Sequence, residues 1–236
     1  LKTEQQIYDI YILQSRNVRK LSKVRSNLIR DLNKNVVKNN FFEIEVKTKL
    51  LALLYSAWSE AQFVQILHTP NGLFPRIIKD IEERRDRNGI IAGWDLMLEL
   101  AFGKVGNVSE SQDLSDRLVK LKSIVKENIE AQSILRNKIA HGQWVHALNR
   151  SHTGENQEYS SELRNLDYVQ IDRLFEIHNH LGLIVRDLVQ SPNKGFHNNY
   201  WENLVNLELF VDSSKDWTLE TRRLKLHRRV PSGRDL

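Results

Sequence analysis

The chain has 236 residues, of which 40% are apolar and 28% charged, and its five Trp, six Tyr and eight Phe can fill an interior, which excludes a disordered chain. It has no cysteine, which excludes a disulfide scaffold, a thiol nucleophile and any cysteine-ligated metal centre. The net charge of +5 is uneven: from Arg16 to Lys38 eight Lys or Arg face Asp31 alone, residues 215–236 carry seven basic and three acidic side chains, and the stretch between is net acidic.

Only ten Gly and four Pro occur, none before Pro70, so the chain lacks the turns that many short strands require and an all-α fold is expected. Apolar residues at Ile7, Tyr11, Val18, Leu21, Leu28 and Leu32 recur at helical steps and predict one long amphipathic helix over 4–36. Its basic residues, Arg16, Arg19, Lys20 and Lys23 among them, lie mostly off that stripe, on a face suited either to solvent or to RNA phosphates. Residues 43–67 are apolar almost all round and predict a central helix, ended by Thr69-Pro70-Asn71-Gly72. Pro75 suits the first turn of a helix to Arg87, and Asn88-Gly89 separates it from a short apolar segment, 90–102.

Ser109 is a candidate N-cap for a helix to about Ala140, with Gly142 at its end. Residues 149–161 are polar and without period, and read as a loop. A strong helical pattern resumes over 167–190 and is broken at Ser191-Pro192-Asn193-Lys194-Gly195. A short helix is expected over 200–211, and the alternation in 217–226 suggests an extended segment. This divides the chain into a helical domain, 1–195, and a C-terminal appendage with a basic tail, 196–236. No run of eighteen apolar residues and no secretory signal is visible, so the expectation is a cytoplasmic protein without membrane contact.

The segment richest in chemistry is Leu135-Arg136-Asn137-Lys138-Ile139-Ala140-His141-Gly142. On a helix, Asn137 and His141 share a face, with Arg136 about 100° to one side, so one edge presents an amide, an imidazole and a guanidinium. An imidazole that titrates near neutrality serves as acid or base, and a guanidinium matches the geometry of phosphate oxygens. The alternative is that Asn137 and His141 cap the helix end while Arg136 makes a surface ion pair. The bare spacing is not diagnostic, since it also occurs at Arg173 and His178 and at Arg222 and His227; the polar Asn137 and the Ala-His-Gly ending set the first pair apart.

This string resembles the HEPN superfamily, whose ribonucleases carry an Arg, then four to six residues of which the first is polar, then a His. The setting is also similar, with an aromatic-bearing apolar helix (Leu53-Leu54-Tyr55-Ser56-Ala57-Trp58) before the motif and a long helix after it, so the resemblance spans about 43–190. It implies a helical bundle acting as an endoribonuclease without cofactor or metal, in a toxin–antitoxin or antiphage defence setting. Arg136, Asn137 and His141 would be catalytic and Glu60 would support Arg136. The partners implied are RNA, a second copy of the chain in a homodimer, and an antitoxin or defence-system protein. Where some HEPN toxins carry a Tyr that an antitoxin modifies, two residues after the His, this chain has Gln143. His178-Asn179-His180 sits inside a helical pattern, where its two His point to different faces and make no metal pair.

Overall fold

Caps and breakers set the helix ends. In the computed structural model, which describes residues 1–228, the chain is all-α, with ten helices and no strand among the described residues. α1 (Glu4–Val37) opens with a capping box: Thr3 Oγ1 accepts from the Gln6 amide, and the Gln6 side chain accepts from the Thr3 amide. Asn39 turns the chain at a φ of 53°, and Asn40 caps α2 (Phe41–Leu67), which runs back along α1. Trp58 Nε1 donates to Ser22 Oγ at 3.1 Å and Gln65 Nε2 to Ser15 Oγ at 2.9 Å, fixing the register of this pair.

α3 (Pro75–Asn88) and α4 (Ile90–Phe102) meet at Gly89, whose φ of 89° ends one helix and starts the next. α5 (Gln112–Val125) is capped by Ser111 rather than by Ser109, because the Ser109 amide and hydroxyl both donate to Asn107 Oδ1. The expected single helix to Ala140 is interrupted by a π-turn over Lys126–Glu130, after which α6 (Ala131–Ala140) continues. Within the predicted loop 149–161 the chain starts α7 (Gln157–Arg164), which Asn156 caps and which buries Leu163. α8 (Tyr168–Gln190) follows the predicted pattern. α9 (Gly195–Ser214) is longer than expected at both ends. The segment expected to be extended is α10 (Leu219–His227), because Thr218 and Thr221 form a capping box that the alternation of apolar residues concealed.

Two cores are stacked along α2 and α8. The first gathers Phe63, Ile66 and Leu67 of α2 with Trp94, Met97 and Phe102 of α4, Leu121, Ile124 and Val125 of α5, and Leu181, Val185 and Leu188 of α8. The second gathers Leu32 and Val36 of α1 with Leu51, Tyr55 and Trp58 of α2, Leu135 and Ile139 of α6, and Tyr168, Ile171 and Phe175 of α8. α2 is long and apolar enough to span a membrane by length and composition; in the fold it is one of the two helices, with α8, that both cores share. The stretch read as an appendage contributes Phe196, Tyr200, Leu204 and Leu207 to the first core, while Trp217, Leu219 and Leu226 pack on the second. The basic tail expected beyond Arg228 lies outside the described residues.

The π-turn is where the α5–α6 rod passes from one core to the other. Ile124, Val125 and Ile129 face the first core, Leu135 and Ile139 the second, and the extra residue in the turn rotates everything after it by about 100°. The backbone groups it disturbs are recovered by side chains. Asn128 Nδ2 donates to the Ile124 carbonyl at 2.8 Å, and the Tyr55 hydroxyl donates to the Asn128 carbonyl at 3.3 Å. Tyr55 also meets His178 Nδ1 at 3.3 Å, and the His178 ring stands edge-on to Tyr55, Trp58 and Trp94 with 1% of its surface exposed.

Tyr55→Phe strips the hydroxyl from both contacts, leaving a buried carbonyl and a buried imidazole nitrogen unpaired. It should lower unfolding stability in urea by about 1–3 kcal/mol with the far-ultraviolet spectrum unchanged. Burial pushes the His178 imidazole down from 6.5 to about 3. With the folded value below the unfolded one, this stability is held above about pH 6.5 and lost as the pH falls toward 3, at a slope approaching about 1.4 kcal/mol per pH unit. Urea unfolding at pH 7, 5.5 and 4 should therefore show a steeper loss for the wild type than for His178→Phe.

Candidate functional site

The motif lies at the end of α6. Leu135 and Ile139 are buried in the second core, which turns Asn137, Ala140 and His141 outward and leaves Arg136 at the boundary. The helix stops in a Schellman turn: Gly142, at a φ of 79°, donates its amide to the Ile139 carbonyl at 3.1 Å, and Gln143 donates to Lys138 at 3.0 Å. Gly142 therefore carries the capping, and the His141 side chain makes no hydrogen bond or ion pair among the described residues.

Arg136 is held from α2. Its Nε donates to Ser56 Oγ at 2.8 Å and its terminal nitrogen pairs with Glu60 Oε1, while the Ser56 hydroxyl donates to the same Glu60 oxygen at 3.4 Å. Ser56 and Glu60 are four residues apart on one face of α2, so they meet the guanidinium together. The pair is open to water, with 31% of the Arg136 side chain and 50% of the Glu60 side chain exposed, and its net worth to stability is small. Ser56 is the site neighbour that sequence reading missed, although its position one turn before Glu60 on the aromatic-bearing helix was there to be read.

The chain after His141 is fastened rather than loose. Trp144 Nε1 donates to the Ile139 carbonyl at 3.0 Å, Lys138 Nζ donates to the Leu148 carbonyl at 2.7 Å, and the Gln143 side chain accepts from the Leu148 amide at 2.7 Å. Beyond an isolated bridge between Leu148 and Glu155, the exposed tip, 150–154, closes on Asn149, whose side chain accepts from the Thr153 amide at 3.0 Å. A second surface imidazole, His146, meets Glu155 at 2.8 Å, and hydrogen bonds from His146 and Ser160 hold the Glu155 carboxyl below the usual range.

The four basic residues singled out on α1 are all exposed: Arg16, Lys20 and Lys23 share one face with Arg19 beside them, and none is ion-paired among the described residues. Arg19 Nε donates to the carbonyl of Ser15 on its own helix at 3.2 Å. Arg25 is different in kind, since it pairs with Asp172 and Glu176 of α8 and lies 4.6 Å over the Phe175 ring. Lys20 and Glu60 face one open groove of about 520 Å³ between α1 and α2, together with Gln14 and Asn17. Among the described residues no three His, Asp or Glu side chains stand close enough together to hold a metal ion.

The structure thus joins Arg136, Ser56 and Glu60 by direct bonds, places Lys20 along the same groove as Glu60, and sets Asn137 and His141 on the neighbouring open face. Compared with protein-family models, curated proteins and solved structures, the chain matches none.

Proposed function

We propose that the chain is a metal-independent endoribonuclease of the HEPN type, in which Arg136 and His141 act on RNA with Asn137 beside them. The observation that carries this reading is the exposed imidazole of His141 at a rigidly capped helix end, with Arg136 five residues earlier steadied by Ser56 and Glu60. In the reaction a 2′-hydroxyl oxygen attacks the adjacent phosphorus, the bond to the 5′-oxygen of the next nucleotide breaks, and a 2′,3′-cyclic phosphate and a 5′-hydroxyl end result. A neutral imidazole takes the proton from the nucleophile, an imidazolium returns one to the leaving oxygen, and Arg136 offers charged donors to the phosphorane oxygens. One imidazole cannot hold both roles in one step. A second copy of the chain, facing the first across a twofold axis, would supply the other. A role as a toxin or antiphage effector, with an antitoxin or defence-system partner, follows from the resemblance alone.

One observation favours a second reading. Glu60 already neutralises Arg136, and Arg16, Arg19, Lys20 and Lys23 of α1 are exposed and without ion pairs among the described residues, which suits a non-catalytic RNA- or protein-binding module of a two-component system.

Cleavage separates the two. Purified wild type should cut RNA in excess EDTA and leave a cyclic phosphate, His141→Ala should lose about 10²–10⁴-fold in rate, and Arg136→Ala about 10²-fold or more. Because His141 is exposed, the melting temperature of His141→Ala should match the wild type. Intact RNA with the wild type, or full activity in His141→Ala, would refute catalysis.

Binding is tested apart from chemistry. Replacing Arg16, Arg19, Lys20 and Lys23 together with Gln should weaken RNA binding and flatten its salt dependence by about 0.7 per lost phosphate contact on a single strand. Equal slopes for variant and wild type would make this face a solvated one.

A further inference from the structure

On the other side of the α1–α2 seam, away from Glu60, a groove of about 390 Å³ opens between α1, α2 and α8. Its floor is Gly182 of α8. A Cβ there would stand 3.1–3.2 Å from the Gln62 carboxamide, so the absence of a side chain lets that amide lie flat against the helix. Gln62 is more than nine-tenths buried, yet its Oε1 has no hydrogen-bond partner among the described residues. A buried amide oxygen left unpaired destabilises a fold, and a leucine of similar size would fill this position without that penalty.

The groove also holds a cation. Arg186 lies one turn beyond Gly182 on the same face of α8, and its guanidinium makes no ion pair or hydrogen bond among the described residues. Asn179, one turn before Gly182, adds a third polar group, although its Nδ2 reaches Glu176 Oε2 at 3.4 Å. Of the remaining lining, Val18, Ile66 and Leu183 are apolar, while Gln65 and Thr69 are polar and already bonded, to the Ser15 hydroxyl and to the Gln65 carbonyl.

We infer that this groove is a binding site for a small organic phosphate of mononucleotide size. Arg186 would take the phosphate, the Gln62 carboxamide, whose Oε1 is covered as it lies, would turn to hydrogen-bond a polar edge of the ligand, and Val18, Ile66 and Leu183 would cover part of its body. The chemistry selects an oxyanion because the guanidinium is a donor fork without a carboxylate opposite it. The volume, at the small end of small-molecule sites, selects one nucleotide rather than a strand. The site shares no residue with the Arg136–His141 edge, and its occupancy is read without RNA cleavage, so the two proposals stand or fall separately.

Calorimetric titration of the full chain with uridine 5′-monophosphate, uridine and inorganic phosphate tests it. The monophosphate should bind more tightly than either fragment, and Arg186→Met should weaken it at least tenfold. Gln62→Leu should also weaken it while raising the melting temperature by about 2–4 °C, because the unpaired oxygen is gone. A melting curve for Arg186→Met that matches the wild type shows that lost affinity is not lost fold. No binding at millimolar nucleotide, uridine binding as tightly as its phosphate, or unchanged affinity in Arg186→Met would overturn the proposal.

Discussion

A single polar junction between two dry cores organises this molecule. α2 and α8 lie against each other for most of their lengths, and where one core gives way to the other they enclose His178 among Tyr55, Trp58 and Trp94. An imidazole in such surroundings stays neutral, and the Tyr55 hydroxyl partners its Nδ1 while Nε2 is buried without a partner among the described residues. The same hydroxyl meets the disturbed carbonyl of the π-turn. The polar chain from His178 through Tyr55 to Asn128 is therefore also what fixes the phase in which α6 leaves the turn.

That phase decides which residues of α6 see water. With Leu135 and Ile139 turned into the second core, Arg136 falls beside α2, where Ser56 and Glu60 sit one turn apart, and Asn137 and His141 fall on the open side. Rotating α6 by one residue would bury the guanidinium or withdraw it from Glu60. The candidate site is thus a consequence of how two cores share one rod.

Most helices were legible because their apolar positions follow a 3.6-residue period, and Pro75 and Gly89 marked where α3 begins and ends. The all-round apolarity of α2 foretold its central place, while the Arg136–Glu60 pair agrees equally with the support the resemblance implied and with the alternative of a surface ion pair for Arg136. The π-turn was not legible, since one extra residue leaves no compositional trace and is stabilised by Tyr55, more than seventy residues away. α7 was hidden because an eight-residue helix that buries little beyond Ser160 and Leu163 reads as a polar run, and its Asn156 cap looked like one more loop residue. The Arg186–Gln62 groove had no sequence signal either, because it depends on three helices meeting and on a glycine whose role is to be small.

The fastening of the chain after His141 bears on how this protein tolerates change. Trp144 and Leu148 are bonded back to α6 and the Ala147 amide to Ser160 of α7, whereas 150–154 is closed on itself beyond the Leu148–Glu155 bridge. The tip is thereby mechanically uncoupled from the helix end. Its length and composition can drift, or accept a grafted peptide or epitope, while the imidazole stays where the Schellman turn puts it.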